Sequence, residues 1–128
     1  MPQKSGGAFS NYEGDLVWAS GWGKDSDSAT AVSPVLRFIE VPVIAKSTCS
    51  RYYLGVITDK MICISGKNGQ STCNGDSGGP LVYKDGDKNI VIGATSFGIA
   101  LGCEKGWPGV FTRVTAYLDW IEGKTGLN

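Results

Sequence analysis

The chain has 128 residues, of which 41% are hydrophobic, and its 12 basic residues are balanced by 12 acidic ones. This length and composition fit one globular domain with its own core, and the balanced charge argues against nucleic-acid binding or attraction to an anionic membrane. No apolar run approaches the roughly 18 residues of a membrane span, and no apolar segment follows Met1 and Lys4 as it would in a signal peptide. Nineteen glycines and four tryptophans favour a turn-rich β fold.

Six segments rich in apolar and β-branched residues predict strands, with polar or Gly-rich loops between them. In chain order they are residues 15–20, 35–44, 56–64, 81–83, 89–97 and 109–114. Asp85 and Gly86 lie between the fourth and fifth segments and predict a hairpin turn, whereas Pro42 in the second predicts an edge or a bend. Six short strands at this spacing favour an all-β fold, a six-stranded antiparallel β-barrel.

The two ends of the chain differ from its strand-rich middle. Residues 1–14 are polar and predict an interdomain linker-like segment, so the domain would span residues 15–128. Apolar residues near the end recur at helical spacing and predict a C-terminal α-helix packed on the barrel. They are Val114, Tyr117, Leu118 and Ile121. Thr115 is a candidate N-cap, and Gly123 or Gly126 a candidate stop.

The chain has four cysteines and no histidine. In a small domain this number of cysteines predicts disulfides formed in an oxidising compartment, and three pairings are open. Four reduced, buried thiols in a cytosolic protein are the alternative. The lack of a C-x-x-C pair and of any histidine argues against a metal site.

The clearest chemical signal is the stretch from Cys73 to Pro80, Cys-Asn-Gly-Asp-Ser-Gly-Gly-Pro. The glycines that follow Ser77 leave its hydroxyl uncrowded, and the amides of Gly75 and Ser77 can point at one spot, as in an oxyanion hole. The plain alternative is a Gly-rich turn before a strand. The nucleophile elbow of α/β-hydrolases requires a helix after the serine, and Gly-Gly-Pro cannot form one.

The longer string Cys-x-Gly-Asp-Ser-Gly-Gly-Pro-Leu-Val resembles the nucleophile region of chymotrypsin-like, trypsin-fold serine proteases. Other segments resemble that family in the same order. They are Ser20-Gly21-Trp22-Gly23, Met61-Ile62-Cys63, Ser96-Phe97-Gly98, the run from Pro108 to Val114, and Trp120-Ile121. The resemblance runs from about Val17 to Ile121 and covers the C-terminal half of such a protease. It implies the second barrel of the trypsin-like fold, with a short helix in residues 45–53.

The resemblance implies a catalytic role for the serine motif. Ser77 would be the nucleophile, and Gly75 would complete the oxyanion hole. Asp76 would pair with the N-terminal ammonium that zymogen cleavage releases. The general base would be a histidine, oriented by an aspartate, on an N-terminal half that this chain lacks. The implied disulfides join Cys49 with Cys63 and Cys73 with Cys103.

The resemblance also implies a specificity pocket with a neutral floor. Its substrate-binding residues would be Ser71, Thr72, Asn74, Ser96, Phe97, Gly98 and Gly109. Ser71 stands at the floor, where trypsin-like members carry an aspartate for Lys or Arg. Gly98 and Gly109 stand at the walls, where bulky side chains would shorten the pocket. An open, uncharged slot suits Phe, Tyr, Trp or Leu before the cut bond.

The resemblance thus implies a secreted, extracellular serine endopeptidase that forms an acyl-enzyme and uses no cofactor. Its partners would be the N-terminal half of the same protease, a polypeptide substrate and protein protease inhibitors, without nucleic acid or membrane. The barrel face that meets the other half is expected to be partly apolar and exposed. The alternative is a non-catalytic protease-like binding module, or an inactive isolated domain.

Overall fold

The computed structural model describes residues 2, 9–24, 26, 28, 30–66, 76–97 and 106–126. The chain forms a closed antiparallel barrel in the strand order β1-β2-β3-β6-β5-β4. Its strands are β1 Leu16–Gly21, β2 Arg37–Ile44, β3 Met61–Ile64, β4 Pro80–Asp85, β5 Lys88–Phe97 and β6 Gly109–Arg113. Helix α1, Lys46–Tyr52, precedes β3, and a 3-10 turn, Val114–Tyr117, leads into helix α2, Leu118–Thr125. The predicted six-stranded barrel with a C-terminal helix is confirmed.

The barrel closes around one apolar core because alternate residues of its strands face inward. In β1, Val17 is buried whereas its neighbour Leu16 is exposed. The core cluster consists of Tyr12, Val17, Ala19, Val41, Val43, Ile62, Ile64, Leu81, Ile92 and Phe111. A Cβ on Gly93 would come within 3.1 Å of the Leu81 and Phe111 side chains. A larger residue there would require these neighbours to shift, so the packing around Gly93 is tight.

The predicted hairpin joins β4 to β5. Asp85 pairs with Lys88 across the ladder, so two residues form the turn. Gly86, the first of them, has a φ of 60°. This is the glycine position of a type II′ turn, whose twist matches that of the strands it joins.

The segment before β1 is docked on the barrel where the structure describes it. Tyr12 is buried in the core, and its ring centroid lies 5.2 Å from that of Tyr83. The amide of Gly14 donates to the carbonyl of Val43 at 2.9 Å. Residues 9–14 therefore pack with the barrel, and a domain boundary at residue 15 stays a prediction.

The start of the C-terminal helix differs from the prediction. Thr115 lies inside the 3-10 turn and is not an N-cap, because the chain leaves β6 through this tighter turn and α2 begins only at Leu118. Gly126 has a φ of 73° at the C-cap, so the predicted stop is confirmed there. No helix in the described ranges is long and apolar enough to cross a membrane.

Two strand predictions also need correction. The third strand begins at Met61, because residues 53–60 form a loop. Pro42 does not mark an edge, since β2 pairs with both β1 and β3. Its carbonyl accepts the Ser65 amide at 3.0 Å. Pro42 therefore sits where pairing with β3 starts, and its missing N–H interrupts little of the ladder.

Candidate active site

Ser77 lies at the tip of a tight turn that leads into β4. The amide of Gly79 donates to the carbonyl of Asp76 at 3.0 Å, which closes a four-residue turn. Gly78, its third residue, has a φ of 83°. A positive φ at this position is the mark of a type II turn, and glycine adopts it without strain. Ser77 occupies the second position and is exposed.

This turn is fixed to β5. The amide of Gly78 donates to the Thr95 carbonyl at 2.9 Å, and the Thr95 amide donates to the Gly79 carbonyl at 2.9 Å. The Thr95 hydroxyl donates to the same Gly79 carbonyl at 3.3 Å. A Cβ on Gly79 would come within 3.2 Å of the Ser20 carbonyl oxygen. The backbone that presents Ser77 is therefore held in one position, as a preorganised site requires.

The carboxylate of Asp76 lies in a notch at the end of β1, formed by Gly21 and Gly23, which we call the glycine notch. The amide of Gly23 donates to Asp76 Oδ1 at 2.8 Å. A Cβ on Gly23 would lie 2.5 Å from that oxygen, and a Cβ on Gly21 would overlap it. Only glycine at these two positions leaves room for the carboxylate. The hydrogen bond from Gly23 therefore ties the end of β1 to the turn that carries Ser77.

Three of the residues predicted to bind substrate lie on the paired strands β5 and β6: Ser96, Phe97 and Gly109. Phe97 pairs with Val110, and the register shifts between Thr95 and Phe97. Ser96 is the extra residue of this bulge and is exposed, whereas Gly109 is buried at the start of β6. A bulge bends the strand that carries the extra residue and increases its local twist. The chain therefore changes direction at Ser96, one residue beyond the contact between Thr95 and the serine turn.

Three aromatic residues pack together beside these strands, and we call them the aromatic brace: Tyr53 at the end of α1, Phe97 on β5 and Trp107 before β6. The Tyr53 hydroxyl donates to the Pro108 carbonyl at 2.6 Å. Its ring meets Phe97 edge-on at 5.5 Å and Trp107 at 5.4 Å. Burial raises the pKa of the Tyr53 hydroxyl. Because Pro108 directly precedes Gly109, this hydrogen bond anchors the backbone next to Gly109.

A disulfide joins Cys49 of α1 to Cys63 of β3. This confirms one of the two pairings that the resemblance implies. The other, Cys73 with Cys103, lies outside the described residues. The observed bridge encloses the loop of residues 53–60, at whose start Tyr53 stands.

Half of the predicted catalytic and pocket residues fall in the described part of the chain. They are Asp76, Ser77, Ser96, Phe97 and Gly109, whereas Gly75, Ser71, Thr72, Asn74 and Gly98 lie outside it. The described residues come together at one end of β5, where the serine turn, the bulge and the start of β6 meet. Their roles in catalysis and binding stay predictions.

Sequence patterns did not reveal the glycine notch or the aromatic brace. Two glycines flanking Trp22 at a strand end were a signal of a close approach, but nothing local pointed to Asp76, 53 residues away. Tyr53 lies 55 residues from the carbonyl that it binds. Both contacts depend on how the strands pair.

The site presents a serine hydroxyl on a fixed backbone, but this chain supplies no histidine to activate it. A serine is a weak nucleophile until an adjacent base takes its proton. Within the described ranges no group of three or more His, Cys, Asp or Glu side chains is placed to hold a metal ion. The described residues thus include a candidate nucleophile, and the chain has no histidine to act as its base.

Comparison with known proteins identifies the class. The family model described as Trypsin matches residues 4–121. Brachyurin from Leptuca pugilator is 50% identical over 114 residues, which are 89% of this chain and 48% of brachyurin. Serine protease 1 of Drosophila melanogaster is 48% identical over 120 residues, 94% of this chain and 43% of that protein.

Solved structures agree with the sequence comparison. The HL collagenase structure is 38% identical, superposes with a TM-score of 0.81, and is matched over 93% of this chain and 50% of its own. The chain therefore belongs to the trypsin family of serine proteases. It spans about half the length of the curated relatives named above.

Proposed function

We propose that the protein to which this chain belongs is a secreted serine endopeptidase with Ser77 as its nucleophile. The observation that carries the proposal is the fixed type II turn that exposes Ser77 in a chain of the trypsin family. Ser77 would attack the scissile carbonyl and form an acyl-enzyme. The amides of Gly75 and Ser77 would stabilise the oxyanion, and loss of one such donor typically costs about 2.7–4 kcal/mol.

The general base would come from the part of the protein outside this chain. The chain has no histidine, and in a Ser-His-Asp arrangement the histidine takes the serine proton while the aspartate orients it. An exposed apolar face supports a docked partner half: Leu16 and Phe38, on β1 and β2, are 56% and 63% exposed. The Trp18 ring packs beside Phe38, with centroids 4.8 Å apart.

Asp76 would couple zymogen activation to the nucleophile. In this proposal the carboxylate binds the N-terminal ammonium that activation cleavage creates. The glycine notch supports such coupling. The Asp76 carboxylate already accepts a hydrogen bond from the Gly23 amide, and the Asp76 backbone carbonyl accepts the hydrogen bond that closes the Ser77 turn. A group that draws the carboxylate in either direction would therefore move the turn.

The specificity would be for large apolar or aromatic residues before the cut bond, since Ser71 gives the pocket a neutral floor. Ser71→Asp tests this. The ratio of kcat/KM for an arginine peptide to that for a phenylalanine peptide should rise at least tenfold, or about 1.4 kcal/mol. Ser47→Asp, an exposed change on α1, is the control and should leave the ratio unchanged. An unchanged ratio in the Ser71 variant would show that Ser71 does not line the specificity pocket.

Secretion and the proposed partners belong to the same proposal. The disulfide between Cys49 and Cys63 supports an oxidising, extracellular location. The substrate would be a polypeptide that adds a strand along residues 96–98, and protein protease inhibitors would occupy the same surface.

The decisive test is covalent labelling of Ser77. The chain would be co-expressed with the N-terminal half of brachyurin, and the purified pair, which we call the reconstituted protease, would be treated with a fluorophosphonate. We expect the label on Ser77, with no labelling of the chain alone or of Ser77→Ala. Ser47→Ala, which changes an exposed serine on α1, should label normally.

The alternative is a non-catalytic binding module of the same fold. It predicts that the two halves purify together, yet neither take the label nor hydrolyse peptides. That result would refute the catalytic proposal. Failure of the halves to associate would instead refute the proposed partnership.

A further inference from the structure

The end of the barrel where the β4–β5 hairpin closes is lined by polar as well as apolar side chains. Along β4, Tyr83 and Asp85 follow the buried Leu81 at every second position, so the three side chains share the inner face of the strand. Ile90 and Lys88 are the ladder partners of Tyr83 and Asp85 and share that face. Tyr83 and Ile90 pack against the core, and the charged pair lies beyond them at the opening.

The segment before β1 forms the other side of this opening. Tyr12 is buried, and its ring centroid lies 5.2 Å from that of Tyr83, with the ring planes at 50°. Asp15, which is half-buried, follows on the same segment. These residues and the hairpin line a cavity of about 570 Å³. Small-ligand sites have volumes of about 300–1,000 Å³, and the mouth of a β-barrel is one of the places where they occur.

Two carboxylates border the cavity without a cationic partner. Neither Asp15 nor Asp85 takes part in a salt bridge with another described residue. Burial is the main cause that raises the pKa of the Tyr12 hydroxyl, and the charges of both carboxylates add to it, so both lie near that hydroxyl. Lys88 also lines the cavity, but it is exposed, and its flexible stem lets the ammonium stay in water. The cavity therefore combines negative charge with two aromatic rings.

We propose that this cavity, which we call the barrel-mouth site, binds an alkylguanidinium group, the group carried by arginine. A guanidinium is planar, so its face stacks on aromatic rings while its edge donates paired hydrogen bonds to a carboxylate. The rings of Tyr12 and Tyr83 offer the first contact, and Asp15 and Asp85 offer the second. Ile90, which packs against the core, gives the alkyl stem an apolar wall. An ammonium ion lacks the planar shape and is more strongly hydrated.

Titration calorimetry with two matched probes tests the site. The unmodified 128-residue chain is used, because every residue that lines the cavity belongs to it. N-acetyl-argininamide carries the guanidinium and no other charge, and N-acetyl-citrullinamide is its neutral analogue of nearly the same shape. We expect saturable binding of the arginine probe and at least about tenfold weaker binding of the citrulline probe. Equal binding of the two probes, or no saturable binding of the arginine probe below about 10 mM, would overturn the proposal.

Charge changes around the cavity should act in opposite directions. Asp15→Asn and Asp85→Asn should each weaken binding of the arginine probe about threefold or more, since each removes one carboxylate. Lys88→Gln should strengthen binding, because the competing ammonium is gone. Asp87→Asn is the matched control: Asp87 lies in the hairpin turn and does not line the cavity, so the affinity should change by less than about twofold.

Unchanged affinity in a folded variant of either carboxylate would overturn the proposal. Circular dichroism shows whether each variant is folded. If a carboxylate variant does not fold, Lys88→Gln decides, because weaker or unchanged binding there contradicts a site for a cation.

Nuclear magnetic resonance with ring-labelled tyrosine shows where the probe binds. The chain has five tyrosines, and two of them, Tyr12 and Tyr83, line the site. Their ring signals should shift when the arginine probe is added, and those of Tyr52 and Tyr117 should not. Shifts that leave Tyr12 and Tyr83 unaffected would place the probe elsewhere and overturn the proposal.

Free arginine, which adds an α-ammonium and a carboxylate, distinguishes two sources of the guanidinium. Tighter binding of the blocked probe would assign the site to arginine side chains of polypeptides. Tighter binding of free arginine would assign it to the amino acid itself. Either result supports the guanidinium site, and binding of neither refutes it.

Discussion

Replacing Gly23 by alanine would test whether the glycine notch controls the Ser77 turn. The new Cβ would lie 2.5 Å from Asp76 Oδ1 and from Cγ, so the carboxylate must move and the 2.8 Å hydrogen bond from the Gly23 amide is lost. A hydrogen bond to a charged group contributes about 1.5–3 kcal/mol. Alanine also restricts the unfolded chain, which offsets about 0.4–1 kcal/mol. We expect a net loss of about 1–2 kcal/mol in the free energy of unfolding.

Urea denaturation followed by circular dichroism would measure this loss, and fluorophosphonate labelling of the reconstituted protease would report the turn. Labelling should slow at least tenfold. Gly123→Ala is the control, because nothing lies within 4 Å of its Cβ position in α2. It should stabilise the protein by about 0.5–1 kcal/mol.

A double-mutant cycle isolates the cause. When the Asp76→Ala substitution is also present, Gly23→Ala should cost little, since the carboxylate that it displaces is gone. If Gly23→Ala costs as much in the Asp76→Ala background as in the unmodified protein, the notch does not act through the carboxylate and the reasoning is wrong.

Two further predictions concern tyrosines whose hydroxyls are shielded from solvent. Tyr53→Phe removes the hydrogen bond to Pro108 and should cost about 0.5–1.5 kcal/mol and raise KM for peptides, whereas Tyr117→Phe should change neither; an unaltered KM in the first variant would mean that the brace does not hold the wall. Burial, then the nearby Tyr83, raises the pKa of Tyr12, so the folded state holds that proton more tightly than the unfolded state. The contribution of this raised pKa to the free energy of unfolding is fully present below the ordinary pKa of about 10. It is lost as the pH rises through the pKa of Tyr12 in the folded state. Denaturation midpoints measured from about pH 9 to about pH 11.5, which is from about one unit below to about 1.5 units above that value, should fall less steeply in Tyr12→Phe. Identical slopes would contradict a raised pKa for Tyr12 in the folded state.

The fold could be predicted from the sequence because its signals are local. Strand-forming segments, the Asp85-Gly86 turn and the C-terminal apolar spacing each lie within a few residues. Two of the predictions that failed lie at ends of elements, and the third concerned Pro42 inside β2, whose second neighbouring strand is distant in sequence. Thr115 and residues 56–60 suit more than one backbone state, and the contacts of neighbouring strands decide between those states.

The serine motif could also be predicted from the sequence. Its pattern is contiguous, because Asp76 and Ser77 lie between two glycines, and it has a chemical meaning. The motif alone predicted the exposed hydroxyl of Ser77. The resemblance predicted the trypsin family, which the comparisons confirm. The pairing of Cys49 with Cys63 also came from the resemblance, because cysteine counting left three pairings open.

Only the tertiary structure decided what holds the site in place. Asp76 reaches Gly23, just beyond β1, and Tyr53 reaches Pro108, across separations of 53 and 55 residues. Such contacts exist only after barrel closure sets the register of the strands, because a shift of one residue turns each side chain to the opposite face. The sequence by itself predicted a candidate nucleophile, and with the resemblance a candidate pocket, whereas the closed barrel determined which distant groups hold their described backbone.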